Sequence, residues 1–215
     1  MRPRYIALAA GLLIATPLIA HQAMQTPGAK DIARVSVGTY SVDPSHTLVA
    51  WEVDHLGFTP YIGLFGDSTG KLVIDPKNPN AATVDITIPV SKVTTANAGL
   101  TAHLLRAPKE AGGKADFFGP APADARFVST SVMVDSDGDE AKVTGNLTLN
   151  GVTKPVTLEV DFYGAGKMPA QMGGKEGLGF EAEGKIKRSD FGINAVIPMV
   201  SDEVKLKIAV GFFKD

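Results

Sequence analysis

The feature that most constrains this chain is an alternation of period two that recurs along most of its length. Val49, Trp51, Val53 and His55 alternate with Ala50, Glu52 and Asp54. Val84, Ile86 and Ile88 alternate with Thr83, Asp85 and Thr87, and Val143, Leu147 and Leu149 with Thr144, Asn146 and Thr148. Val156, Leu158, Val160 and Phe162 oppose Thr157, Glu159 and Asp161; Val204, Leu206, Ile208, Val210 and Phe212 oppose Lys205, Lys207 and Ala209. Successive side chains on a strand point to opposite faces, so each run has one apolar and one wet face. Asn150-Gly151 and Asp137-Gly138 each separate two such runs, the sequence signal of a tight hairpin. The pattern predicts eight strands, over 46–55, 62–74, 82–89, 126–135, 140–150, 152–163, 177–187 and 203–213. Short turns between them predict an antiparallel meander. Residues 95–106 (TANAGLTAHLLR) predict one short helix between the third and fourth strands, before a Pro/Gly/Ala-rich stretch over 107–125.

Eight half-apolar strands must hide their edges. Closure into a barrel removes them, and a barrel of about eight strands is filled by side chains or holds one small ligand. A two-sheet sandwich is the competing architecture.

The first residues belong to a different physical class. Arg2 and Arg4 precede an uncharged run from Ile6 to Ile19, broken at Pro17 and followed by Ala20. That is the layout of a secretory signal peptide, and the run is shorter than the ~20 residues a membrane-spanning helix needs. Cleavage after Ala20 is expected, leaving a periplasmic chain with no stable membrane span. Residues 21–38 lack periodicity and are expected to form a flexible lead-in to one domain over 39–215.

Composition excludes several chemistries. The chain of 215 residues has no cysteine, hence no thiolate metal site, disulfide framework or cysteine nucleophile. Its 21 basic against 23 acidic residues give no electrostatic footprint for nucleic acid. His46 and His55 differ by an odd number of positions, so a regular strand sends them to opposite faces and they cannot share a metal. Asp135–Glu140 lacks the glycine after the third acidic position and the distal glutamate of a calcium loop, and reads as an acidic hairpin turn. No nucleophile elbow, phosphate loop or dinucleotide fingerprint occurs. An enzyme is not expected, and no cofactor is implied. By parity, Val49, Trp51, Val53, Phe65, Ile86, Leu147, Leu158, Phe162, Phe180 and Leu206 face the interior as core or as the wall of a cavity. His55, Phe117 and Phe118 are candidates for its mouth. Pattern alone leaves a filled core and an apolar tunnel equally open.

Four segments carry a family resemblance. Tyr40-Ser-Val-Asp-Pro-Ser-His46 with Trp51-Glu-Val-Asp-His-Leu-Gly57, and Gly63-Leu-Phe-Gly66 leading into Gly70-Lys-Leu-Val-Ile-Asp75, resemble the opening of the YceI-like family. Residues 143–156 (VTGNLTLNGVTKPV) look like its central hairpin. Lys187-Arg-Ser-Asp-Phe-Gly-Ile193 and Val200-Ser-Asp-Glu-Val-Lys-Leu206 look like its C-terminal signature. The resemblance implies a lipocalin-like, eight-stranded antiparallel barrel enclosing a tunnel for a polyisoprenoid, an isoprenoid quinone or another long-chain lipid. It also implies a periplasmic, often homodimeric protein. A structural module with a filled barrel, and an enzyme acting on a lipid, are the alternatives. One departure stands out. His103-Leu104 and Asp116-Phe117-Phe118 are separated by residues 105–115, an apparent insertion, and Ala125-Arg126 replaces the family's Tyr-Pro.

Overall fold

The computed structural model describes residues 25–215, so the expected leader lies outside the described residues. Eleven strands and one short α-helix follow in order. They are β1 (Gly28–Ala29), β2 (Gly38–Val42), β3 (Leu48–His55), β4 (Thr59–Phe65), β5 (Thr69–Ile74), β6 (Thr83–Ile88), α1 (Ala98–Leu104), β7 (Ala125–Val134), β8 (Glu140–Leu149), β9 (Val152–Lys167), β10 (Glu176–Lys187) and β11 (Glu203–Lys214).

Every pairing is antiparallel, and the hydrogen-bonded order closes on itself. It runs β9–β8–β7–β6–β5–β2–β11, and β10 joins β11 back to β9. β2 and β3 share one edge of β11: Phe212 faces Val42, and Leu206 faces Trp51. They are therefore two arms of a single bent strand. β4 and β5 form a second one, β4 pairing with β3 and β5 with β2. Counted this way the ring has the eight strands that the alternation predicts.

The bends are what the sequence pattern misses. The expected strand 62–74 breaks after Phe65, and Asp67 takes a positive φ of 55°. The expected strand 46–55 has a preceding arm, β2, separated from it by Asp43-Pro44-Ser45. There Asp43 Oδ1 accepts from the Ser45 amide, and Pro44 has no amide to give a ladder. Residues 28–38 are not a free lead-in. β1 pairs with β9, Lys30 bridges Asp139 at 2.7 Å, and Val35 packs on a buried cluster around Tyr40, Phe162 and Phe212. The helix is shorter than the expected 95–106. Asn97 caps it, its Oδ1 accepting from the Leu100 amide at 2.9 Å.

A polar knot ties the end of the barrel where the lead-in arrives. The hydroxyl of fully buried Tyr40 donates to the Ser36 carbonyl at 2.8 Å. Ser36 also meets the Glu176 carboxylate, and Lys214 donates to Ser36 at 2.6 Å and Glu176 at 3.1 Å. Ser36 and Lys214 hold the Glu176 carboxyl below its usual range. This joins the lead-in, β2, β10 and β11 without a disulfide. The outward strand faces carry cross-strand ion pairs, among them Lys205–Glu52 at 2.8 Å and Arg126–Asp85 at 2.6 Å.

Gly70 sits at the second bend with φ +140°, where a Cβ would fall 2.1 Å from the Asp85 carbonyl oxygen on β6. Both the backbone conformation and the close approach exclude a side chain. Gly70→Ala is expected to lower stability by about 1–3 kcal/mol in urea unfolding, with the midpoint shifted and the slope unchanged.

Candidate ligand-binding chambers

The inward faces of the strands enclose two cavities. An inner chamber of about 210 Å³ lies toward the polar knot, and an outer chamber of about 490 Å³ lies toward the opposite end. That end carries the β3–β4 turn, the β6–β7 segment and the β10–β11 loop. Both walls are chiefly aliphatic and aromatic. Val49, Ile86, Leu158, Phe162 and Phe180 line the inner chamber. Trp51, Val53, His55, Phe65, Phe117, Phe118 and Leu206 line the outer one. Leu147 lines neither. It packs in a buried cluster with Phe127, Val143 and Phe191. Parity on β3 and β11 thus carries from one chamber into the other.

Large inward side chains lie over glycines. A Cβ on Gly63 would fall 2.1 Å from the Trp51 ring, one on Gly145 2.4 Å from the Phe127 ring, and one on Gly184 2.7 Å from Leu158. Each glycine faces inward on its strand, so the missing Cβ is the space the large side chain occupies. Two buried polar atoms in the chamber walls have no hydrogen-bond partner, Trp51 Nε1 and Ser68 Oγ.

The outer chamber is walled partly by non-strand segments. Among the described residues, the far edge of β4 pairs only with Thr94, through an isolated bridge at Leu64. From there α1 and residues 105–124 cross the opening. The Phe118 amide donates to the Leu104 carbonyl at 3.0 Å, and the Phe118 ring meets Phe65 edge-on at 5.8 Å. Phe117 packs edge-on against His103 at 5.3 Å. A latch holds this arrangement: Asp116 Oδ2 lies 2.9 Å from His103 Nε2 and accepts from Arg106 Nη2 at 2.8 Å. His103 first, then Arg106, holds the Asp116 carboxyl below the usual carboxylate range. The segment 105–115 therefore leaves α1 and returns to it, and its base seats the Phe117–Phe118 pair on the chamber.

Sequence reasoning missed the β10–β11 loop. Ile193, Val196 and Val200 line the outer chamber, as does Arg188. The signal was an apolar run, 193–200, with no strand period. Arg188 is only 5% exposed and donates to four backbone acceptors: Ser201 at 2.8 Å, Ile193 at 3.1 Å, Ala195 at 2.8 Å and Val200 at 2.7 Å. Burial lowers its pKa, against the opposing charge of Asp202. Asp202 is itself tied to Ser189, whose hydroxyl donates at 2.7 Å. His55 is exposed at the end of β3, where its backbone pairs with Val200 in an isolated antiparallel bridge. The acidic stretch 135–140 is a turn. Asp135 Oδ1 accepts from the Gly138 amide at 2.8 Å and the Glu140 amide at 3.3 Å.

A closed eight-stranded antiparallel barrel with an apolar, chambered interior defines the class. The chain belongs to the YceI-like domain family, which matches residues 40–212. Protein YceI of Salmonella arizonae is 44% identical over 174 residues, covering 80% of this chain and 84% of that protein, and Protein YceI of Salmonella heidelberg is equally similar. The crystal structure of the Campylobacter jejuni YceI protein superposes with a TM-score of 0.58 at 30% identity, covering 75% of this chain and 90% of the other. That of Burkholderia cenocepacia BcnA superposes with a TM-score of 0.61 at 24% identity, covering 79% and 98%. A polyisoprenoid binding domain from Saccharophagus degradans, implicated in plant cell wall breakdown, superposes at 0.54 with 14% identity, covering 82% and 98%.

Two outcomes are expected. Arg188→Lys removes the planar fork and leaves carbonyls of the mouth loop unsatisfied, so stability falls by about 2–4 kcal/mol in denaturant unfolding, and retention of charge does not rescue it. The Asp116 latch has the sign of a carboxylate with a lowered folded-state pKa. Its contribution is complete above the unfolded value of about 4 and is lost as the pH falls through the folded one. Hydrogen exchange at the Phe118 amide, corrected for intrinsic rate, should therefore accelerate below about pH 4, and Asp116→Asn should remove that dependence.

Proposed function

We propose that the chain is a periplasmic carrier that holds a long-chain amphiphile, a polyisoprenoid, an isoprenoid quinone or a similar lipid, inside the two chambers. The observation that carries this is the pair of apolar cavities enclosed by one closed barrel. A chain threads past Val49, Ile86, Leu158, Phe162 and Phe180 within, and past Trp51, Val53, Phe65 and Leu206 without. Its polar head rests at the outer end, near His55, Phe117 and Phe118. The fold neighbour described as a polyisoprenoid binding domain supports the ligand class. Export is supported by Arg2, Arg4 and the uncharged run from Ile6 to Ile19. The chemistry is binding rather than turnover. His103 is engaged by Asp116 and Arg106, and Arg188 by backbone carbonyls, which leaves them structural tasks.

Apolar burial supplies the affinity, at roughly 0.8 kcal/mol for each CH₂ taken from water. Specific polar contact is not required, so ligand choice is loose in head group and strict in girth. The sole tryptophan, Trp51, is on the outer chamber wall and reports occupancy. Titration with n-alkanols of rising length should tighten binding about fourfold per added CH₂ until the chambers are full, then level off. Mass spectrometry of organic extracts from the exported protein should show a long-chain lipid. Absence of any such lipid, together with no response of Trp51 to alkanols or prenols, would overturn the proposal.

A further inference from the structure

We infer that the rim of the outer chamber is a membrane-docking face, which inserts apolar side chains into a lipid bilayer while ligand is exchanged. The inference rests on the carrier function proposed above and assigns that carrier its partner surface.

Four large apolar side chains stand in solvent on two neighbouring segments at this end. Leu56 and Phe58 occupy the β3–β4 turn, 40% and 87% exposed; Val196 and Met199 occupy the β10–β11 loop, 57% and 58% exposed. The two segments are joined directly. The Leu56 amide donates to the Met199 carbonyl at 2.7 Å, and the Ser201 amide to the Asp54 carbonyl at 2.9 Å. Val196 is both on the surface and on the chamber wall, so the rim is continuous with the apolar interior.

The backbone shows that this display is held against a local cost. Four non-glycine residues among those described have positive φ: Leu56 at 62°, Asp67 at 55°, Asn150 at 52° and Val196 at 54°. Asn and Asp tolerate that region, whereas leucine and a β-branched valine do so poorly. The contrast between two hairpins makes the point. Asn150-Gly151 and Leu56-Gly57 both place two consecutive residues at positive φ, the geometry of a tight type I′ turn. One turn uses the asparagine such geometry favours. The other puts an apolar side chain in that place and follows it with a phenylalanine almost fully in water. Strain of this kind persists where the surrounding structure enforces it, and it clusters at working surfaces.

A bilayer fits this face by its chemistry. Of the four, Val196 alone lines the outer chamber, while Leu56, Phe58 and Met199 stand outside it in solvent, around its opening. A long-chain ligand leaving the chamber into water would lose its apolar burial CH₂ by CH₂, whereas an opening pressed to a bilayer passes it between apolar phases. Ionic attraction adds little. Lys154, Lys185 and Lys187 share a cleft behind the rim with Asp190 and Glu203, and Lys185 pairs with Glu203 at 3.1 Å. The contact is therefore apolar and survives salt.

The test is flotation of the exported protein, its N-terminus fixed by intact mass, with vesicles of phosphatidylethanolamine and phosphatidylglycerol and with vesicles of phosphatidylcholine alone. Wild type should float with both, in low and high salt. The double variant Phe58→Ser/Met199→Ser should lose at least about tenfold in partitioning. Its stability and its Trp51 response to farnesol in vesicle-free solution should stay unchanged. Met133→Ser/Met172→Ser, two exposed methionines away from the rim, should float as wild type does. The inference is overturned if wild type does not float, if the rim variant floats equally well, or if the rim instead forms a dimer in solution that the same substitutions dissolve. Wild type that floats through the rim but gives no farnesol response keeps the docking face and overturns the carrier function.

Discussion

Closure of the sheet by β11 is the constraint on which everything else depends. One edge of this strand pairs with β10 along its length, and the other pairs with β3 at one end and β2 at the other. A single hydrogen bond of this ladder contributes only about 0.5–1.5 kcal/mol net, but the ladder as a whole closes the ring, leaving the far side of β4 to its bridge with Thr94. It also encloses the cavities, since a half-apolar sheet left open would expose its inward face to water. With no cysteine in the chain, this seam and the Tyr40–Ser36–Glu176–Lys214 knot beside it do what disulfides do in many small exported domains.

The difference between the chambers follows from the same closure. Toward the knot, strand residues supply most of the wall, with Pro79, Ala82, Gly138 and Asp139 from the connections, and the space is small. Toward the other end, β3 and β4 form part of the wall, and among the described residues β4 pairs only with Thr94 on its far side. A helix and loops complete the wall there, and the space is about 490 Å³ against 210 Å³. Glycines at 63, 145 and 184 then settle where large side chains lie. Interior volume here is set as much by missing Cβ atoms as by the aromatic groups that replace them.

Much of this was legible in the sequence, for a definite reason. Period two reports which face of a strand is apolar, and that sufficed for the eight ring positions, the Asn150-Gly151 hairpin and the inward set from Val49 to Leu206. Parity placed Leu147 inward as well, but could not show that Phe127 and Phe191 bury it away from both chambers. The bends at Asp43–Ser45 and Gly66–Ser68 were invisible because a strand that changes partners keeps its alternation on either side. Residues 28–38 gave no periodic signal because Lys30 and Val35 are held by individual contacts with β9 and the core rather than by a repeating face. Arg188 escaped notice because its partners are backbone carbonyls, which no side-chain pattern records.

The parts that resist sequence reading are the parts free to change. A ring strand must keep parity, register with two neighbours and the volume of the side chain opposite, so most changes to it disturb closure. Residues 105–115 answer to none of these constraints: the segment departs from α1 and returns through Asp116 to His103 and Arg106. The entropic cost of a longer loop grows only with the logarithm of its length, so such a segment can lengthen at little cost to the barrel. The β10–β11 loop lies outside the named strands; Arg188 gathers its carbonyls, and Met199, Val200 and Ser201 fasten its end to β3 and the β3–β4 turn. Ring strands fix the girth of what the barrel can hold, while these two segments shape the outer wall. Under the carrier function proposed above, ligand length and head group are therefore set by the two segments rather than by the strands.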